Sequence, residues 1–149
     1  MAEPDTPGQL KARALRHLVR REHSRAELAR KLAPHAASPQ VLEVLLDELA
    51  ARKQLSDERY AEARARMLSR KYGAARIRLD LKSKGVALEL LERVSCEGEL
   101  ERARAILERK YPEPASSREA RAKRGRFLQS RGFSMDVIAR LLRESEEAC

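Results

Sequence analysis

Aromatic residues are nearly missing from this chain: they make up 3% of its 149 residues, and tryptophan is absent. A large single core and a base-stacking platform both draw on aromatic rings. Shallow helical units are therefore expected, with the few rings committed to packing. Cysteine occurs only at Cys96 and Cys149, too few for a disulfide framework and without zinc spacing, which points to a reducing compartment. No apolar run approaches ~20 residues, the length that spans a bilayer. The start, Met1 to Gly8, lacks the basic-then-apolar order of a secretion signal. A cytoplasmic protein with no membrane partner is expected.

Catalytic chemistry is missing too. His17, His23 and His35 are the only histidines. The first two are badly spaced for two ligands on one helix face, the third adjoins Pro34, and all three are expected at the surface. No His-Glu-x-x-His, Cys-x-x-Cys, phosphate loop or nucleophile elbow occurs. The chain is expected to be no enzyme, with no catalytic residue, no metal and no cofactor. Period-two alternation is never sustained, so no strand is expected.

What the chain does have is positive charge. Lysine and arginine number 32 against 23 acids, a net charge of +9, which calls for an anionic partner such as nucleic acid or an acidic protein surface. The excess is concentrated. From Arg64 to Lys84 there are eight basic residues and one acid, Asp80; from Arg118 to Arg131 there are six and one acid, Glu119.

The two basic stretches are also related by a repeat. Leu81-Lys82-Ser83-Lys84-Gly85-Val86 has its counterpart 47 residues on in Leu128-Gln129-Ser130-Arg131-Gly132-Phe133. In the first copy Ile77 and Leu81 share one helical face and the basic side chains face away. Gly85 and Gly132 stand where each helix should stop, since glycine takes the left-handed cap conformation at no steric cost. Arg70, Lys71, Arg76, Arg78, Lys82 and Lys84 of one copy, with Lys123, Arg124, Arg126 and Arg131 of the other, are the candidate binding residues.

Caps and apolar stripes set the rest. Residues 1–8 read as a flexible tail. A helix from Gln9 to Glu22 carries Leu10, Ala14, Leu15, Leu18 and Val19. Ser24 with Glu27 makes a capping box before Leu28 and Leu32, and Ser38-Pro39 opens a helix striped by Val41, Leu42, Leu45, Leu46 and Leu49. Ser56 opens the next segment, with Tyr60, Ala61, Met67 and Leu68, then the basic helix, then a helix from Leu88 to Ser95. Gly98 marks a seam. A helix to Tyr111 follows, then one opened by a capping box of Ser116 with Glu119, then one opened by Ser134, with an acidic tail fraying beyond Ser145. The expected fold is all-α: an elongated array of three tandem three-helix, helix-turn-helix-like repeats over 9–55, 56–97 and 98–149, each too small to bury its core alone.

These residues resemble the RecX family of bacterial regulatory proteins. Four stretches carry the likeness, in order. They are Arg-Arg-Glu-His-Ser-Arg-Ala-Glu-Leu-Ala-Arg-Lys-Leu from Arg20, Leu-Ser-Asp-Glu-Arg-Tyr-Ala-Glu from Leu55, Tyr-Gly-Ala-Ala-Arg-Ile-Arg-Leu-Asp-Leu-Lys-Ser-Lys-Gly-Val from Tyr72, and Arg-Phe-Leu-Gln-Ser-Arg-Gly-Phe-Ser-Met-Asp-Val-Ile from Arg126. The resemblance implies tandem three-helix repeats and a partner, the RecA recombinase filament on DNA. It implies inhibition of RecA ATPase, strand exchange and co-protease activity, and so modulation of recombination, DNA repair and the SOS response. DNA, single- or double-stranded, would be contacted independently of sequence by a monomer. The rival reading is a sequence-specific helix-turn-helix DNA binder. Against it, the last helix opens with Met135 and Asp136, not with side chains suited to base edges.

Overall fold

The computed structural model describes residues 3–147, with side chains through Glu144. Among the described residues there are nine α-helices and no strand: α1 (Pro7–Arg20), α2 (Arg25–Leu32), α3 (Pro39–Ala51), α4 (Asp57–Leu68), α5 (Ala74–Ser83), α6 (Leu88–Leu91), α7 (Glu99–Lys110), α8 (Arg118–Ser130) and α9 (Met135–Glu147), with a 3₁₀ turn at Ala33–His35. Packing gathers them into two compact units. One is Met1–Arg64 with Leu81–Leu91; the other is Ala65–Asp80 with Glu92–Cys149. The divisions fall inside α4 and α5, so these two helices contribute to both units, while α6 belongs to the first.

In the first unit, Leu10 and Ala14 of α1, Leu28 and Leu32 of α2, and Leu42, Leu45, Leu46 and Leu49 of α3 form one core, closed by Leu55. A leucine fully buried this way contributes roughly 1.5–3 kcal/mol by removal from water. Helix α1 starts two residues ahead of expectation. Thr6 caps it, accepting from the Gln9 amide while its own amide donates to Gln9 Oε1, and Arg13 donates to Asp5 at 2.8 Å. The stretch 1–8 is therefore built into structure from Asp5 on, while Met1 and Ala2 lie outside the described residues. Val19, read as a core position, is 86% exposed, as is Met67 to 52%.

The Ser24 box forms only by half. Ser24 Oγ accepts from the Glu27 amide at 3.1 Å. The Glu27 carboxylate does not reach back; it accepts from Nη1 and Nη2 of Arg21, each at 2.9 Å. That pairing holds Glu27 down to about 2, from an ordinary 4.5.

His23 also departs from expectation: it is buried to 1% exposure. Nδ1 lies 3.0 Å from the Arg21 carbonyl and Nε2 lies 2.9 Å from the Lys31 ammonium. A neutral ring with its proton on Nδ1 satisfies both, donating to the carbonyl and accepting from Lys31. Burial, then the cations Arg21 and Lys31, hold His23 below its ordinary 6.5. Burial lowers His17, whose ring is 5.6 Å away, as well.

A pH dependence follows. The folded values of His23 and Glu27 both lie below the unfolded ones, so the unfolded chain binds more protons on the acid side. Stability should be full above pH 6.5, fall below it as His23 and, beside it, His17 take up protons, and fall again between 4.5 and about 2 as Glu27 is neutralised. Melting temperatures across pH 8 to 3 would trace this, and His23→Gln should flatten the upper step.

In the second unit, Ala103, Ile106, Leu128, Phe133, Ile138 and Leu141 form the core of α7, α8 and α9. Cap register differs at α8: Ser117, not Ser116, accepts from the Ala120 amide, with Ala115 buried just ahead. The helix expected from Leu88 to Ser95 is the single turn α6, because Glu92 and Arg93 offer nothing to bury. Helix α9 continues through Glu147, past Ser145, where fraying was expected; Cys149 lies outside the described residues.

Candidate functional site

The repeat identified in sequence is a repeat of geometry. Gly85 and Gly132 have φ of +80° and +88°. Val86 N donates to Leu81 O at 3.1 Å, and Phe133 N donates to Leu128 O at 3.2 Å. Both leucines are fully buried. Each basic helix thus ends in the same left-handed glycine cap, pinned by a leucine beneath it.

Each cap receives the start of another helix. Within the first unit, Ser24 Oγ donates to Lys84 O at 2.7 Å, and Ala26 packs so close to Gly85 that a Cβ there would sit 2.5 Å from Ala26 Cβ. Within the second unit, Gly73 N donates to Arg131 O at 2.7 Å, and Gly132 lies against Arg76. A carboxylate completes each joint. Asp57 Oδ1 accepts from the Arg25 amide at 2.7 Å, and Glu99 Oε1, 4% exposed, accepts from the Ala74 amide at 2.8 Å. Negative charge at a helix N-terminus is favourable. Glu99→Ala should cost about 1–3 kcal/mol, because it orphans a buried amide. Glu99→Gln, which keeps an acceptor, should cost less, as denaturant unfolding would report.

The joint in the second unit orders the cations around it. Arg76 donates to Ser130 O at 3.1 Å and lies 5.0 Å from the Tyr72 ring centroid. Arg131 lies 5.4 Å from that ring and 5.1 Å from Phe127. Phe127 meets Tyr111 edge to face, and Arg124 covers Tyr111 at 4.9 Å. The result is a ladder, Arg76–Tyr72–Arg131–Phe127–Tyr111–Arg124, that fixes three guanidinium groups. Each cation–aromatic contact is worth roughly 0.5–1 kcal/mol at exposed sites. Of the five rings expected in packing roles, Tyr60 and Phe133 are core; Tyr72, Tyr111 and Phe127 are only half-buried.

The candidate cations therefore differ in state. Arg70, Lys71, Lys123 and Arg126 are exposed. Arg78 does not simply face away: its Nη2 donates to Val94 O at 3.1 Å and lies 3.5 Å from Cys96 Sγ. Arg124 donates to Glu113 O at 2.7 Å. Lys82 and Lys84 belong to the first unit, Lys82 exposed and Lys84 half-buried. The structure adds Arg109 and Lys110, at the end of α7, beside Arg70, Lys71 and Arg131. Their position in a last turn reads in sequence as mere dipole compensation; only the fold brings them to the other cations. Among the described residues no cluster of His, Cys, Asp and Glu could hold a metal ion, and no helix is long and apolar enough to cross a membrane.

Fold and site together define a helical-repeat protein whose repeat joint carries a cationic, arginine–aromatic face. Family models narrow that class: RecX first, second and third three-helix domains match residues 11–49, 56–94 and 97–142. The chain belongs to the RecX family. It is 47% identical over 141 residues to the regulatory protein RecX of Leptothrix cholodnii, covering 90% of this chain and 87% of that one. It is 43% identical over 149 residues to that of Ralstonia nicotianae, covering 98% and 94%. The crystal structure of RecX from Lactobacillus salivarius shares the fold with a TM-score of 0.81 at 22% identity, over 94% of this chain and 96% of that one.

Proposed function

We infer that this protein regulates RecA by binding its filament on DNA, and that it inhibits RecA ATPase, strand exchange and co-protease activity without catalysing a reaction itself. Membership of the RecX family across all three domains carries the reading; its relatives are named regulatory proteins. The cationic ladder supports it, because a nucleoprotein filament presents both phosphate and acidic side chains to guanidinium groups. The binding residues are the two sets of basic side chains at the repeated helices. The protein acts as a cytoplasmic monomer on single- or double-stranded DNA of any sequence, in recombination, repair and the SOS response.

Binding to RecA-coated single-stranded DNA, naked DNA and free RecA, measured side by side, tests this. The coated strand should be bound most tightly. Tighter binding to one naked duplex sequence than to the filament would identify a helix-turn-helix reader instead.

A further inference from the structure

The cations at the end of α7 open a feature that the basic-helix reading does not contain. In the second unit a groove of ≈ 480 Å³ is lined by Arg70, Lys71, Arg109, Lys110 and Arg131, with Tyr72 and Phe127 as walls. No carboxylate among the described residues lines it. Helix-end compensation accounts for Arg109 and Lys110, but not for five cations brought together from three separate stretches of chain.

Two details say what the groove takes. First, its charge is largely uncommitted. Arg109 spends one N–H on the Arg70 carbonyl, whereas the side chains of Arg70, Lys71, Lys110 and Arg131 make no hydrogen bond or ion pair among the described residues. Second, the aromatic walls are already stacked. The Arg131 guanidinium lies against both Tyr72 and Phe127, which leaves its N–H edge as the part available to a ligand. A nucleobase seeking either ring would have to displace it. The guanidinium edge is a bidentate donor for phosphate, and the lysines are point charges suited to the same anion.

We propose that this groove binds the phosphodiester backbone of a nucleic-acid strand and reads no base, with Arg109 and Lys110 acting alongside Arg70, Lys71 and Arg131. The proposal rests on the filament reading above and assigns its DNA contact to one place. A single strand supplies successive phosphates at intervals along its backbone, whereas a free polyphosphate supplies a compact cluster.

The test is fluorescence anisotropy with a labelled oligo-dT strand and an abasic strand of equal length, across a salt series. Both strands should bind within a few-fold of one another. Lys71→Gln with Lys110→Gln should lower the slope of log affinity against log salt by roughly 0.7 per lost contact. Lys71→Arg with Lys110→Arg should restore it, and far-ultraviolet dichroism should be unchanged throughout. An abasic strand that binds tenfold more weakly would overturn the proposal, as would an unchanged slope. Inorganic triphosphate that competes as well as the strand at equal charge would make a free polyphosphate the ligand and overturn it too. If the glutamine variant keeps its strand affinity but loses RecA-coated DNA, the groove contacts protein; this proposal fails and the filament reading stands.

Discussion

Gly132→Ala should destabilise the protein by about 2–5 kcal/mol, a large effect for a single methyl group. Two costs combine. At φ +88° a side chain enters the left-handed region, at about 1–2 kcal/mol. The new Cβ would also overlap Arg76, whose Cβ, N and Cα all crowd the position, and such overpacking costs about 1–3 kcal/mol. Gly98→Ala separates the two. Gly98 has φ +74°, yet nothing lies within 4 Å of a Cβ there, so it should show the backbone cost alone. Gly85→Ala should resemble Gly132→Ala, since Ala26 blocks it. Chemical denaturation of the three variants would measure these differences, and equal losses at 98 and 132 would show that the joint is not tightly packed.

Those glycines also mark how far the sequence reaches. Their recurrence, with leucine four residues before and an apolar residue after, fixes a helix end by local rules, and that end is present as expected. Caps that act on their own helix, such as Ser24, Ser38 and Ser134, are legible for the same reason. Asp57 and Glu99 are not. Each looks like an acid in the first turn of its own helix, but its carboxylate accepts from the first amide of another helix, a pairing only tertiary packing creates. His23 is similar: a polar residue before a serine cap gives no sign that Arg21 O and Lys31 will close over it. At the candidate site, the basic stretches are plain in the sequence, while the division between tethered Arg76, Arg78 and Arg124 and uncommitted Arg70 and Lys71 is not.

That division guides the second large effect. Charge reversal at Lys82, Lys123 and Arg126 should weaken binding to RecA-coated DNA at least tenfold at physiological salt. All three are exposed, so helix content should barely change. Reversal at Arg131 or Arg124 would be a poorer probe, because both guanidinium groups pack on rings and their loss mixes folding with binding. A tenfold loss is about 1.4 kcal/mol, well within reach of three contacts at ~0.5 kcal/mol each, the range of rim ion pairs. A larger loss would mean desolvated pairs, where truncating one partner costs 2–5 kcal/mol. The salt slope apportions the two sources: phosphate contacts lower it by roughly 0.7–0.9 each, while pairs with acidic side chains show no such counterion release. Unchanged affinity in the folded triple variant would move the binding face off these side chains, to the groove cations Arg70, Lys71, Arg109 and Lys110 or to Arg16 and Arg20 of α1, since Arg13 and Arg21 are held by Asp5 and Glu27.

The most direct measurement is the ATPase rate of RecA on single-stranded DNA, titrated with the wild-type protein. The rate should fall saturably as the protein is added, and the triple charge-reversal variant should require at least tenfold more protein for the same fall. A RecA rate that stays constant at concentrations where the protein is bound to the filament would contradict the account.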